Sequence, residues 1–473
     1  MHVSLDSALG RQRRLNSVGE SVLQIAPNAA AAYSLRSLTG GDPKVVRVRR
    51  KSDNAEKDFT ASGVNSGALT SFVNEDVTIY QSDYSADANG WSGSTSLPTG
   101  NHDGVSDSSG TSKDNVLKLV KQADSQGYMQ RDQGVVAGLT YTVSGSFFAP
   151  ASNTAVDGIA IKDGVAGSSL SDYPSGYLTS DGAWTDFSFS YTATASGTQR
   201  VNFGISSLGS NPNGSSTGST GDIIYIADLK FVETISNGFV DTWYDQSGNN
   251  RPLIQTTASE QPLIVESGTF LNGVKSNQAT SNDTMQNLQV STDGTNADFG
   301  TDDWASGASS KLGAVYVGTV PSASVATSSQ NSIIWGGSRG VGSFQFGGVA
   351  LAVVKAGTDS WRLRNERQGL SPSSMDSRVS LNADADVVLY GTTDNREFTI
   401  NVNGSGNTET ESADLDVREG QALSLFGAYD GAGGSYYQRS SGGVCKECYL
   451  YAGDPVANIP ALATSINSHY SIY

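Results

Sequence analysis

Hydrolysis of a glycosidic bond needs two carboxyl groups facing it, about 5 to 9.5 Å apart according to mechanism. The chain carries 47 Asp and Glu among 473 residues, so acid pairs at such a distance arise by chance. Asp302 and Asp303 beside Trp304 are one pair that could be nominated, and Asp241 with Asp245 is another. A turn or a strand face explains each as well, and catalysis therefore ranks below binding.

Metal chemistry has a thinner basis. Cys445-Lys-Glu-Cys448 is a lone C-x-x-C, and the three histidines, His2, His102 and His469, add no second pair, so a four-ligand zinc site lacks ligands. On a regular strand, residues three apart point to opposite faces, and the expectation is two reduced structural thiols. Calcium is the cation that loop oxygens could hold, through Asp245, Asn249 and Asn250. The same residues are good turn formers.

Sugar binding asks for less: a flat ring under the pyranose, with amides or carboxylates for its hydroxyls. Trp91, Tyr128, Tyr173 and Tyr177 lie in loop-like, Gly- and Ser-rich sequence where core packing is a poor explanation for a ring. Trp184, at the mouth of a strand, is assigned to a core. Further along, Trp304, Trp335, Trp361, Tyr429, Tyr436 and Tyr437 are candidates, the last three in the Gly-rich stretch DGAGGSYYQRSSGG. Phosphate loops, Ser-His-Asp sets and dinucleotide fingerprints are absent from the sequence.

These residues must be positioned by strands. With 54 Gly, 16% charged residues and abundant Ser, Thr, Asn and Asp, the chain reads as many short strands joined by tight turns. Val46 and Val48 alternate with Arg47 and Arg49, and Val240, Thr242 and Tyr244 alternate with Asp241, Trp243 and Asp245. Between Val77 and Thr234 the alternation is strict, as in Tyr141, Val143 and Gly145, or Phe187, Phe189 and Tyr191, or Ile224, Ile226 and Asp228. After Ile235 the stretches LGAVYVGTV, NSIIWGG, FQFGGVALAVVK, ADVVLYGTT, REFTINVNG, ALSLFGAY and CKECYLYAG supply further strands. Pro460 followed by Leu462, Ile466 and Tyr470 predicts one short amphipathic helix at the end of the sequence. Residues 1 to 30, with Arg11, Arg13 and Arg14, show no period and read as a peripheral arm.

AYSLR and VRVRRKSDNAEKDF, between Ala31 and Phe59, and GFVDTWYDQSGNN, from Gly238, resemble one block of the sandwich domain of fungal arabinofuranosidases and of virion proteins of marine bacteriophages and large algal viruses. The ending INSHYSIY is similar to that of the phage proteins. In those relatives the block is continuous; here Asn74 and Asn237 bracket an intrusion. The intrusion's Gly90-Trp91, Gly-Leu-x-Tyr-Thr strand, Trp-Thr-x-Phe strand and closing Phe231-Val232-Glu233 resemble jelly-roll carbohydrate-binding modules attached to xylanases. The resemblance implies an all-β protein: a two-sheet lectin-like sandwich of the concanavalin and laminin-G type, over 31–76 and 235–473, interrupted by a jelly-roll sandwich over 77–234. It implies a virion structural protein of a tail, fibre or capsid surface that binds host surface glycans. Partners would then be copies of itself, with a trimer as the usual fibre solution, and other virion proteins.

The alternative reading from the same resemblance is an arabinofuranosidase-type hydrolase. Its nucleophile strand corresponds to GAVYVGTV here, which has no acid, and its vicinal cysteine pair has no counterpart in Cys445 and Cys448. A third reading is a purely architectural virion protein. A net charge of −17 and a pI near 4.5 argue against a nucleic-acid partner, and no apolar run is long enough for membrane insertion. MHVSLDSALGRQRRLN lacks the apolar core of a secretory signal, so the expectation is synthesis in a host cytoplasm and release within a particle.

Overall fold

A computed structural model describes residues 21–93, 99–120, 128–153, 158–162, 182–193, 195–204, 219–276, 288–290, 311–319, 331–338, 350–354, 360–366, 374–380, 385–394, 396–410, 422–426, 428–429, 436–437 and 443–473. They divide into two compact units, one comprising the chain up to Val73 together with Gly238–Tyr473, the other Asn74–Asn237. The inserted unit thus extends three residues beyond the expected 77–234 at either end.

In the outer unit, one antiparallel ladder runs Ser405–Thr410, Glu397–Val402, Val387–Asp394, Lys311–Thr319 and Val444–Ala452. Ala31–Ser34 and Thr269–Lys275 share the far edge of Val444–Ala452. A second ladder runs Ser374–Ser380, Ser360–Glu366, Ala350–Val354, Asn331–Ser338, Ala422–Leu425, Leu288–Val290, Leu253–Ile254 and Gly238–Trp243. The two are joined along one side, because Gly238–Trp243 also pairs with Leu263–Glu266, which pairs with Thr269–Lys275. Face to face they form a sandwich: a Cβ at Gly391 would overlap Leu363, and Ser377 Oγ donates to Asn407 O at 3.1 Å.

The central strands of the first ladder are buried on both faces. Leu312, Ala314, Tyr316, Val387, Leu389 and Leu450 point into the sandwich core, whereas Val315, Val317, Val388, Tyr449 and Tyr451 pack beneath the C-terminal helix, Ile459–Tyr470. That is why LGAVYVGTV is apolar at consecutive positions rather than alternate ones. Ile459, Leu462, Ala463 and Ile466 supply the apolar stripe of the helix.

Two expectations are corrected here. From Ser21 the N-terminal segment is no free arm, since Val22, Ala26 and Ala29 pack into the layer under the C-terminal helix and Tyr451 Oη donates to Ala26 O at 3.0 Å. Cys445 and Cys448 do not face opposite ways. Val317 pairs with Glu447 while Gly318 pairs with Cys445, so the ladder has a bulge there; both thiols lie in the sandwich core, fully buried and reduced. Short helices at Ala61–Asn65 and Ala68–Val73, with Thr60 Oγ1 accepting from Gly63 N at 3.2 Å, end the first segment of this unit.

The inserted unit is a jelly-roll-like pair of sheets. One has the order Gly158–Lys162, Gly197–Gly204, Tyr128–Val135, Ser92–Gly93. The other runs Thr185–Thr192, Thr140–Phe148, Ile223–Ile235, Val116–Val120, Thr99–His102, with Val77–Gln81 against the far half of Ile223–Ile235. Val143, Phe147, Ile224, Ile226, Leu229, Phe231, Leu117 and Leu119 form its core.

Candidate functional site

The residues quoted from the split block come together in space, as a clamp. Asp245 Oδ1 accepts from Ala32 N at 3.0 Å and Ser247 N at 2.9 Å, and its Oδ2 accepts from Ser247 Oγ at 2.7 Å and Arg251 N at 3.1 Å. Gln246 receives Leu38 N on its carbonyl at 2.8 Å and donates to Ser34 O and Arg36 O at 2.9 and 3.0 Å. Asn249 Nδ2 donates to Ala29 O and Ala30 O at 2.9 and 3.1 Å, Arg251 to Ala30 O at 2.8 Å, and Tyr33 Oη to Arg251 O at 2.5 Å. Asn250, at φ 54°, makes the left-handed turn. These side chains fasten the N-terminal strand to the segment after the insertion. Asp245 meets four donors where calcium would need open oxygens, and among the described residues no group of three His, Cys, Asp or Glu gathers for a metal.

Trp91 is a correction. It is 5% exposed within the insert's core, and its Nε1 donates to Tyr80 Oη at 3.2 Å, so it offers no open face to a sugar. Arg131 lies over the Tyr80 ring at 3.9 Å and completes that buried corner. Tyr173, Tyr177, Trp304, Asp302 and Asp303 lie outside the described residues, as do the side chains of Tyr128, Trp335, Trp361, Tyr429, Tyr436 and Tyr437.

An aromatic row exists elsewhere in the insert, on the outward face of the sheet that carries Thr140–Phe148. Phe148 pairs with Tyr225, Tyr225 with Lys118 and Lys118 with Thr99, so these residues stand in one line across neighbouring strands. The Phe148 and Tyr225 rings stack at 5.5 Å and 13°, and Trp184 closes on Phe148 from the other side at 5.3 Å. From Trp184 to Lys118 the row crosses three interstrand spacings, roughly 14 Å. Phe148, at the centre with a ring on either side, is 6% exposed, whereas Trp184 and Tyr225 are half-buried.

The elements hold these rings for definable reasons. Trp184 was assigned to the core, but the hairpin of Val105–Ser106 and Ser112–Lys113 seats it at the surface: Nε1 donates to Val105 O at 3.0 Å, and Asp107 Oδ2 accepts from its backbone N at 2.9 Å. Hydrogen bonds from the Trp184 backbone and from Ser109 and Thr111 lower the pKa of Asp107 to about 2, so this tie persists through the neutral range. Tyr225 alternates with the inward Ile224 and Ile226; burial raises its pKa, and no described group hydrogen-bonds its hydroxyl. Hydroxyl pairs line the adjoining surface, Thr140 with Thr192 at 3.0 Å and Thr142 with Ser190 at 2.7 Å, and Ser146 donates to Asp186 at 2.5 Å. Rings beside hydroxyls and carboxylates are what a saccharide face requires.

No protein-family model matches the chain, and no curated protein matches it. Among solved structures it is similar to the CBM22-1 xylan-binding domain of Paenibacillus barcinonensis Xyn10C, at 7% identity and a TM-score of 0.25, over 33% of this chain and 95% of that domain. A CBM4 structure overlaps at 17% identity and a TM-score of 0.20, over 29% of this chain and 79% of that one. Domains LG4-5 of the mouse laminin alpha1 chain overlap at 10% identity and a TM-score of 0.24, over 72% and 90% of the respective chains. Overlap of this degree fixes no ligand.

Proposed function

We propose that this protein binds carbohydrate, through the outward row Trp184, Phe148 and Tyr225 of its inserted unit, without turning it over. The observation that carries the reading is that row: Trp184 and Tyr225 stand half-buried on the outer face of a sheet, with the buried Phe148 ring between them. The finer reading is a virion structural protein displaying the site on a tail, fibre or capsid surface in symmetric copies, for adhesion to host glycans. It is supported by the split block resembling phage and algal-virus proteins, whose polar residues the fold uses as a clamp.

The test is a glycan array probed with the full chain, in calcium and in chelator, beside Tyr225→Ala. Selective binding is expected, lost in Tyr225→Ala while circular dichroism shows the chain still folded, because the ring is half-buried on the outer face and its hydroxyl has no partner among the described residues. A chelator-sensitive signal would support calcium as a cofactor. Absence of binding by the folded chain would favour the architectural reading, and failure to find the protein by mass spectrometry in purified particles would remove the virion assignment.

A further inference from the structure

We propose that the aromatic row selects an anionic glycan, one bearing uronate carboxylates or sulfate esters, with Lys118 as the charge partner. The inference rests on the carbohydrate-binding reading above and narrows its ligand class.

The chain as a whole is strongly acidic, at −17, and its field opposes the approach of a polyanion. Cations nonetheless stand at both ends of the row. Lys113 Nζ lies 5.7 Å above the Trp184 ring and Lys118 Nζ lies 5.8 Å above the Tyr225 ring. Their situations differ. Lys113 is held by Asp228 at 2.7 Å, an acid lifted from the strand at a bulge where its own φ is 53°. That pair orients Lys113 and neutralises it.

Lys118 has no acid partner among the described residues. On the same face, Lys230 stands exposed opposite Ser144, again with no acid partner among the described residues, while Asp186 accepts from Ser146 at 2.5 Å. A hydroxyl donor leaves the Asp186 carboxylate charged, so the face carries charges of both signs, and the cation set against Tyr225 is Lys118. Next to Lys118 across the strand pair, Thr99 Oγ1 and His102 Nε2 are 2.8 Å apart. Desolvation, and then the charge of Lys118, lower the pKa of His102, with Asp103 opposing, so the ring adds a neutral polar group rather than a second cation at neutral pH. A sugar ring lying on Tyr225 and directed along the row meets the Lys118 ammonium with its outermost substituent. A hydroxyl there gains one ordinary hydrogen bond, whereas a carboxylate or sulfate gains a charge-assisted one.

Affinity electrophoresis of the full chain tests this in gels containing alginate, a sulfated galactan or neutral xylan, each over a salt series, with Lys118→Gln and Tyr225→Ala alongside. The expected result is retardation in one or both anionic gels that weakens with salt. Lys118→Gln should lose on the order of fivefold in that affinity, the value of one exposed charge pair of about 1 kcal/mol, and flatten the salt dependence. The alginate and galactan arms tell a carboxylate ligand from a sulfate one. Retardation equal in xylan, or unchanged in Lys118→Gln, while Tyr225→Ala abolishes it, overturns anion selection and leaves the carbohydrate-binding reading standing. No retardation in any gel by the folded chain overturns both.

Discussion

Glu447 shows what a single residue can do here that its neighbours in sequence do not announce. It is fully buried, yet it accepts from Ser34 Oγ at 3.0 Å, Tyr449 Oη at 2.5 Å, Tyr470 Oη at 2.9 Å and Arg36 Nη2 at 3.1 Å, with Arg36 Nε as a second contact. Burial pushes its carboxyl pKa up, but the Arg36 charge and the hydrogen bonds from Arg36, Tyr449 and Tyr470 outweigh that and hold it below its ordinary 4.5. A carboxyl with a depressed folded pKa contributes stability that is fully present above its unfolded value and is lost as pH falls through the folded one. Glu447→Gln should therefore cost about 3 kcal/mol in urea denaturation at pH 7, the low end for breaking a buried pair because Arg36 keeps 19% exposure. Below pH 4.5 the gap to the parent should narrow; a gap that stays constant down to pH 2 would show that the carboxylate charge is not what holds the cluster. The CKEC sequence draws the eye to its cysteines, whereas the buried chemistry belongs to the Glu between them. Trp91 and Tyr225 teach the same lesson at the candidate site. Gly- and Ser-rich surroundings suggested exposure for Trp91, but the chain folds back and buries it. Tyr225 stands in GDIIYIADLKF one step out of phase with Ile224 and Ile226, which is the sequence signal of an outward ring on a strand rather than in a loop.

At the scale of elements, hydrophobic alternation reveals a strand only where one of its faces is buried and the other wet. Strands such as Thr140–Phe148 and Glu397–Val402 satisfy that condition and can be read from sequence. Ser360–Glu366, Ser374–Ser380 and Ser405–Thr410 were missed, since their polar residues dominate the pattern and their order comes from the ladder. The Lys446 bulge could not be seen at all, for it depends on the register with Lys311–Thr319. The C-terminal helix was legible in its four-residue spacing, and its role follows from the layer it covers. Leu462 is fully buried among Val315, Val317, Tyr449 and Tyr451. Leu462→Ala should destabilise the outer unit by about 2 to 5 kcal/mol, as cavities in packed layers do. Thermal melts would show it as a lowered transition of that unit, and a loss below 0.5 kcal/mol would mean that the helix is dispensable to the sheet beneath it.

At the scale of the whole molecule, the insertion is possible because each unit brings its own crossing points together. In the outer unit Val73 and Gly238 are neighbours, close enough that a Cβ on Gly238 would lie 2.7 Å from Val73 Cγ2. In the insert, Asn74 Oδ1 accepts from Ser236 N at 3.3 Å, and the entering strand Val77–Gln81 pairs antiparallel with the leaving strand Ile223–Ile235. Each unit also has a core of its own, one around Trp243, Tyr316 and Leu450, the other around Val143, Phe147 and Phe231. An outer domain whose broken ends already meet needs no insert to close its loop, and an insert whose ends meet needs no host to hold them. Replacing Asn74–Asn237 by a short Gly-Ser linker should leave a folded outer unit. The excised Asn74–Asn237 should fold by itself, since its terminal strands pair with each other. Scanning calorimetry of the intact chain should then resolve two transitions, each reproduced by one separated piece. A single transition in the intact chain, with either piece unfolded in isolation, would mean that the units depend on each other for stability, and the aromatic row would have to be understood as part of a larger cooperative body.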